Sequence, residues 1–176
     1  RLCKSPTAVA GLCFILLLIL CAVFAPLIAP YDYAKQNLAE KFIFPCPAHW
    51  FGTDNFGRDL LSRMIFGARI SLLVSIMAVG MSVILALILG SACGYFGGLF
   101  DTIVMRILDV FMAIPGMLLT IVISVALGDG LVNTAIAISV GGIPALARQL
   151  RASTLLIRGE EYIEAAKAFG ASHIYI

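Results

Sequence analysis

The chain has 176 residues with 12 Lys and Arg against 10 Asp and Glu, a net charge of +2; 61% of it is hydrophobic and only 12% charged. A soluble domain is roughly 45–50% apolar and about 25% charged, so this composition, with a mean hydropathy of +1.05, belongs in a bilayer. The near-zero charge excludes an electrostatic nucleic-acid binder, and the apolar content excludes disorder.

Ser5 to Tyr31 is an uncharged run of 27 residues and predicts the first span. Its apolar stretch is too long for a signal peptide, whose core is about 7–15 residues. Leu20 before Cys21 is too large for a lipoprotein cleavage site. Cys13, Cys21 and Cys93 fall inside apolar runs, Cys3 precedes the first, and Cys46 stands alone in a polar segment. They read as small packing residues without a redox or metal role.

The external segment 30–69 ends in HWFGTDNFGRDLLSRMIFGARISLL. Phe56, Leu60, Leu61, Met64, Ile65 and Ala68 recur at helical spacing after Thr53 or Asp54 as N-cap, with Asp59 and Arg63 placed to pair at i, i+4. This predicts an amphipathic helix along the membrane surface, or an interfacial linker that positions the second span.

Ile70 to Phe100 is the next uncharged run, 31 residues long, with GYFGG at Gly94 to Gly98 as its stop and the second span at about 70–93. The third span is expected at 102–127, with Arg106 and Asp109 paired at i, i+3 in its first turns and Pro115 beside Gly116 making a bend. That bend serves as a hinge in a path-lining helix or as a passive kink. GDG at Gly128 to Gly130 makes a tight hairpin into the fourth span, 131–147. No repeat of 20 to 50 residues recurs.

Residues 148–176 are the second polar segment. Tyr162, Ala165, Ala166 and Phe169 share one face of a short helix, with Glu161, Glu164 and Lys167 beside it; Gly170 stops the helix and Ser172 can cap a following one. Small residues on such a face allow close approach to a partner groove, and a solvated loop helix is the alternative. Four spans leave both ends on one side, where Arg1, Lys4, Arg106, Arg148, Arg151, Arg158 and Lys167 outnumber Lys35, Lys41, Arg58, Arg63 and Arg69 by seven to five. The excess favours cytoplasmic ends.

EYIEAAKAFGAS resembles the EAA loop of binding-protein-dependent ABC importers, with Glu164, Ala165, Ala166 and Gly170 matching its pattern position for position. FGTDNFGRDLLSRMIFGARISL resembles the signature after the first span of C-type membrane subunits in dipeptide, oligopeptide and nickel importers; it contains Gly52, Thr53, Asp54, Gly57, Arg58, Asp59, Arg63, Gly67 and Arg69. GYFGG and DTIVMRILDVFMAIPGMLL are similar to the same subunits. The likeness implies an all-α integral membrane bundle of the type I ABC importer permease fold, with four of six spans present. Without an initiator Met, and ending at Ile176 before an expected Ile-x-Leu-Pro element, the chain reads as an internal fragment.

The resemblance further implies half of a solute path in a bacterial or archaeal plasma membrane. A second permease subunit completes the path, two cytoplasmic ATPases drive it, and an external binding protein delivers a peptide or a small solute such as a nickel chelate. Glu164, Ala165, Ala166, Phe169 and Gly170 are then the ATPase-coupling element, and Asp109, Pro115 and Gly116 are hinge or path-lining candidates. ATP and magnesium belong to the partners, since no phosphate-cradling glycine loop followed by Lys-Ser/Thr occurs here.

Rival classes are weaker on chemistry. Tyr31-Asp32 and Leu127-Gly128-Asp129 resemble intramembrane aspartyl protease motifs, but both aspartates lie at span ends and Ala126 replaces that family's first glycine. GASH places Ser172 outside any span, and His49 and His173 sit in segments expected on opposite sides, which argues against a metal site. A proton-coupled transporter or channel would need intramembrane charge, for which Arg106 and Asp109 are the candidates and a mutually satisfied structural pair is the alternative.

Overall fold

The computed structural model describes residues 5–172, the side chain of Lys167 excepted. Described residues therefore exclude Arg1, Cys3, Lys4 and His173, and any helix that Ser172 would cap. Among the described residues there are seven α-helices and one 3₁₀ turn, in two compact units that divide at Leu73 and Val74.

In the first unit, α1 (Pro6–Val23) begins with a proline, whose missing N–H is an orphan at a helix start anyway. Pro26 then prevents the helix from continuing smoothly, and the single turn α2 (Ala25–Ile28) follows the break at Phe24. A loop with a 3₁₀ turn at Leu38–Glu40 leads to α3 (Leu60–Phe96), which passes into the second unit.

α3 is one unbroken helix of 37 residues, about 55 Å long, against a hydrocarbon core of about 30 Å. This corrects the expected surface helix: Thr53, Asp54 and Phe56 precede α3, and residues 60–69 are the first turns of the long helix itself. Continuity follows from 60–70, which contains no proline and only one glycine, so nothing interrupts the hydrogen-bond ladder. GYFGG does terminate it, at Gly97, whose φ of +66° suits glycine.

The second unit is built around α6 (Leu131–Arg158). Ala78, Ser82, Ala86, Gly90 and Gly94 recur every fourth residue on α3 and are all buried, a stripe that lets backbones approach closely. At Gly94 an added Cβ would stand 2.6 Å from Thr154 Cβ. Ser82 Oγ spans α3 and α6 at 2.9 Å from the Ser139 carbonyl oxygen. Ala86, Leu108, Ile143 and Ala147 form the buried core, with Leu89, Val104, Met105, Leu146 and Leu150 packed around them.

The expected third span is two helices, α4 (Gly98–Ala113) and α5 (Gly116–Leu127), bent by 93°. Ile114 and Pro115 both have extended backbone, at ψ 129° and 125°. A residue before proline is driven out of the helical region and proline has no N–H to donate, so the turn is far sharper than a kink. At about 24 and 18 Å, neither half alone crosses a 30 Å core. Among the described residues three helices are long and apolar enough to span a membrane, and the bent pair makes a fourth if it counts as one span.

Gly128 and Gly130 both have positive φ in the hairpin between α5 and α6. Asn133 Nδ2 closes it with a 2.8 Å bond to the Leu127 carbonyl. α6 does not stop with the apolar run at Ala147; it continues eleven residues to Arg158 as a charged extension. α7 (Glu161–Ala168) follows after only Gly159 and Glu160.

Candidate functional site

The signature residues before α3 build a folded loop around two carboxylates. Asp54 Oδ1 accepts from the backbone N–H groups of Phe56 (2.8 Å) and Arg58 (3.0 Å), and Oδ2 accepts from Arg58 Nε at 2.8 Å and from Arg63. Burial alone would push this carboxyl up, but the bonds from the Arg58 and Phe56 backbones and the Arg58 guanidinium more than offset it and bring its pKa to about 2. Arg63 therefore pairs with Asp54 and not, as its i, i+4 spacing suggests, with Asp59.

Asp59 has another task. Its Oδ2 accepts from Ser62 N (2.8 Å) and Ser62 Oγ (2.7 Å), so Asp59 is the N-cap of α3. Its Oδ1 lies 2.9 Å from Nδ1 of buried His49. Burial of Asp59 raises its pKa, and the contacts with His49 and Ser62 outweigh that and lower it. Of the two histidines weighed as metal ligands, His49 is thus committed to Asp59, while His173 lies outside the described residues.

Thr53 Oγ1 accepts from Ile43 N at 2.9 Å and donates to the Glu40 carbonyl at 2.5 Å, tying the preceding strand of loop to the signature. Gly52 and Gly57 have φ of +75° and +69°, and a Cβ on either would run into the backbone of Ile43 or Asn37. Gly67 and Arg69 lie a turn or more into α3, where they line a shallow cleft with Tyr33, Arg63, Phe66 and Ile70. Gly67 has no close neighbour at its Cβ position.

On the second unit a band of charge joins α4 to the extension of α6. Arg151 Nε and Nη2 each lie 2.5 Å from an oxygen of Asp101, a two-pronged pair. Asp109 accepts from Arg148 at 2.5 Å and stands 3.9 Å from Arg106. The expected Arg106–Asp109 contact is thus the looser of two, and Asp109 is chiefly bound across the helix interface. Pro115 and Gly116 are exposed at the bend, with Gly116 lining an apolar groove of about 440 Å³ shared with Thr120, Gly141 and Gly142.

α7 has the Gly170 stop that its sequence implies. Gly170 has φ +80°, and Ala171 N donates to the Ala166 carbonyl at 3.0 Å, the long bond of a Schellman turn. Among the described side chains of the helix, Ile163 is the one that is buried. Tyr162, Ala165 and Phe169 are exposed, Phe169 to 92%, and Ala166 is half-buried. Glu164 is exposed, and its N–H bonds back to the Glu160 carbonyl at 3.3 Å.

His49, Ser62, Asp101, Arg151 and Asn133 join the residues read from sequence. Ser62 had a local signal, standing three residues after an aspartate at the start of an apolar run. Asp101 and Arg151 are fifty positions apart, and no local pattern pairs them.

The family model for the binding-protein-dependent transport system inner membrane component matches residues 82–176, and that for the N-terminal TM domain of oligopeptide transport permease C matches residues 1–45. The chain is 41% identical to the dipeptide transport system permease protein DppC of Bacillus subtilis, over 97% of this chain and 53% of that relative. It is 40% identical to the glutathione transport system permease protein GsiD of Pectobacterium atrosepticum (98% and 58%) and 39% identical to the oligopeptide transport system permease protein OppC of Bacillus subtilis (97% and 56%). The chain spans about half the length of the curated relatives it matches. Two family models in chain order, with an all-helical bundle to match, place the chain in the binding-protein-dependent ABC importers, as a C-type permease of the type I fold.

Proposed function

We propose that this chain belongs to a permease subunit that imports short peptides across a bacterial plasma membrane, driven by ATP hydrolysed on partner subunits. Relatives named for dipeptides, oligopeptides and glutathione support a peptide solute. The assembly comprises a second permease subunit, two cytoplasmic ATPases and an external binding protein. In this reading the chain is not itself an enzyme and holds no cofactor.

The observation that carries the reading is α7. A helix of eight residues that buries Ile163, with Tyr162 exposed on it and Phe169 exposed just after it, is a poor structural brace but a good docking element. Docked in an ATPase groove, it would hand closure of the nucleotide sites to α6 and so alternate access to the path. Residues 30–59 then face outward, and both the loop near Asp101 and the tail after Arg148 face the cytoplasm, consistent with the excess of basic residues on that side.

Vesicles containing the full-length subunit with its partners decide the class. Uptake of labelled dialanine in the presence of the binding protein should require internal ATP and survive a protonophore. Uptake that follows the proton gradient and ignores ATP would assign the chain to a secondary transporter; uptake of nickel chelates in place of dialanine would change the solute alone.

A further inference from the structure

The bond between Asp101 and Arg151 has the features of a mechanical joint. It is two-pronged, and the carboxylate and guanidinium side chains are only 13% and 31% exposed, unlike a solvated surface pair. One turn earlier on α6, Arg148 holds Asp109, so α4 is gripped near its first turn and again towards its far end.

The stretch of α6 that carries both arginines has little freedom elsewhere. A Cβ at Gly90 would stand 2.5 Å from the Ala147 carbonyl and one at Gly94 2.9 Å from the Arg151 carbonyl, and Arg158 Nη1 bonds the Gly94 carbonyl at 3.4 Å. The same stretch leads into α7 through two residues, with Glu160 N bonded to the Ile157 carbonyl at 3.0 Å. A displacement of α7 therefore has a short, stiff route to α4, and α4 ends at the Pro115 bend.

We propose that Asp101 and Arg151 are positioning residues that couple α6 rigidly to α4, so that movement of α7 is delivered to the α4–α5 bend. The inference rests on α7 being the ATPase-docking helix. A packed element moves as a body only where its contacts outlast the motion, and a two-pronged ion pair backed by glycine contacts meets that condition better than apolar contacts that can slide.

The test reads α4 directly. In the full-length subunit assembled with its partners, with native cysteines replaced by alanine, Met112→Cys places a thiol on a half-exposed site near the end of α4. Its modification by N-ethylmaleimide is timed before and after the ATPases are trapped with ATP and vanadate, a state that needs no solute. With Asp101 and Arg151 intact, trapping should change the rate by about tenfold. Asp101→Asn should reduce that change to less than about twofold while the ATPases still co-purify and still trap vanadate. Arg151→Lys keeps the charge but gives up the two-pronged geometry; it should also lose most of the change, and it carries the test if Asp101→Asn lowers recovery of the subunit. No change on trapping with the pair intact, or a full change in Arg151→Lys, overturns the joint. ATPases that fail to co-purify even with the intact subunit overturn the docking reading instead.

Discussion

Gly90 on α3 faces the carbonyl oxygen of Ala147 on α6 so closely that a Cβ would stand 2.5 Å from it. The backbone on one side cannot yield without moving a helix. Gly90→Val should therefore destabilise the second unit by about 1–3 kcal/mol, as overpacking does elsewhere. Gly80→Val is the matched control, because nothing lies within 4 Å of its Cβ position. Thermal denaturation in detergent checks both; equal midpoints would contradict the close packing.

Asp54 gives the first unit an acid limit. Its folded pKa is lowered from 3.8 to about 2, so its contribution to loop stability is complete above the ordinary value and is lost as pH falls through the lowered one. Asp59, also lowered, adds loss of the same sign. Emission from Trp50, the single tryptophan, should hold steady from pH 7 to about 5 and shift as pH drops below about 4. In Asp54→Asn that acid-induced shift should shrink.

Pro115→Ala probes the bend. With a backbone N–H restored, α4 and α5 can approach one continuous helix, which would undo the 93° angle. We expect normal insertion, uptake reduced several-fold, and a changed cross-linking distance between cysteines placed at 108 and 121. Normal uptake at wild-type expression would reduce the bend to packing.

The long apolar helices were legible because uncharged runs have few solutions in a bilayer, and the helix ends at Gly97, Gly128 and Gly170 were legible because each depends on backbone chemistry carried by one residue; Pro115, read as a bend within one span, instead divides α4 from α5. Partners of charged groups were not. Spacing suggested Asp59 with Arg63, yet Asp59 caps α3 and meets His49 while Arg63 reaches back to Asp54. A helix-face rule ranks neighbours within one helix, and Asp59 is the residue where that helix begins. Arg148 and Arg151 read as topology signals, whereas the fold spends them on α4. The extension of α6 past Ala147 was hidden for a related reason: polarity marks the end of the membrane, not the end of the helix.

Gly170→Val separates a docked α7 from a solvated one. No neighbour lies within 4 Å of a Cβ there, so the cost comes from φ +80° alone, about 1–2 kcal/mol for a β-branched residue. The chain after Ala168 would be redirected and α7 presented wrongly, while Gly170→Asn, which tolerates that conformation, should preserve it. The measurement is recovery of the ATPase subunits with tagged full-length permease from detergent extracts of cells making equal amounts of each variant. Recovery should be normal with wild type and Gly170→Asn, and most of it should be lost with Gly170→Val although the subunit is still inserted. Wild-type recovery with Gly170→Val would contradict docking and leave α7 a solvated loop helix.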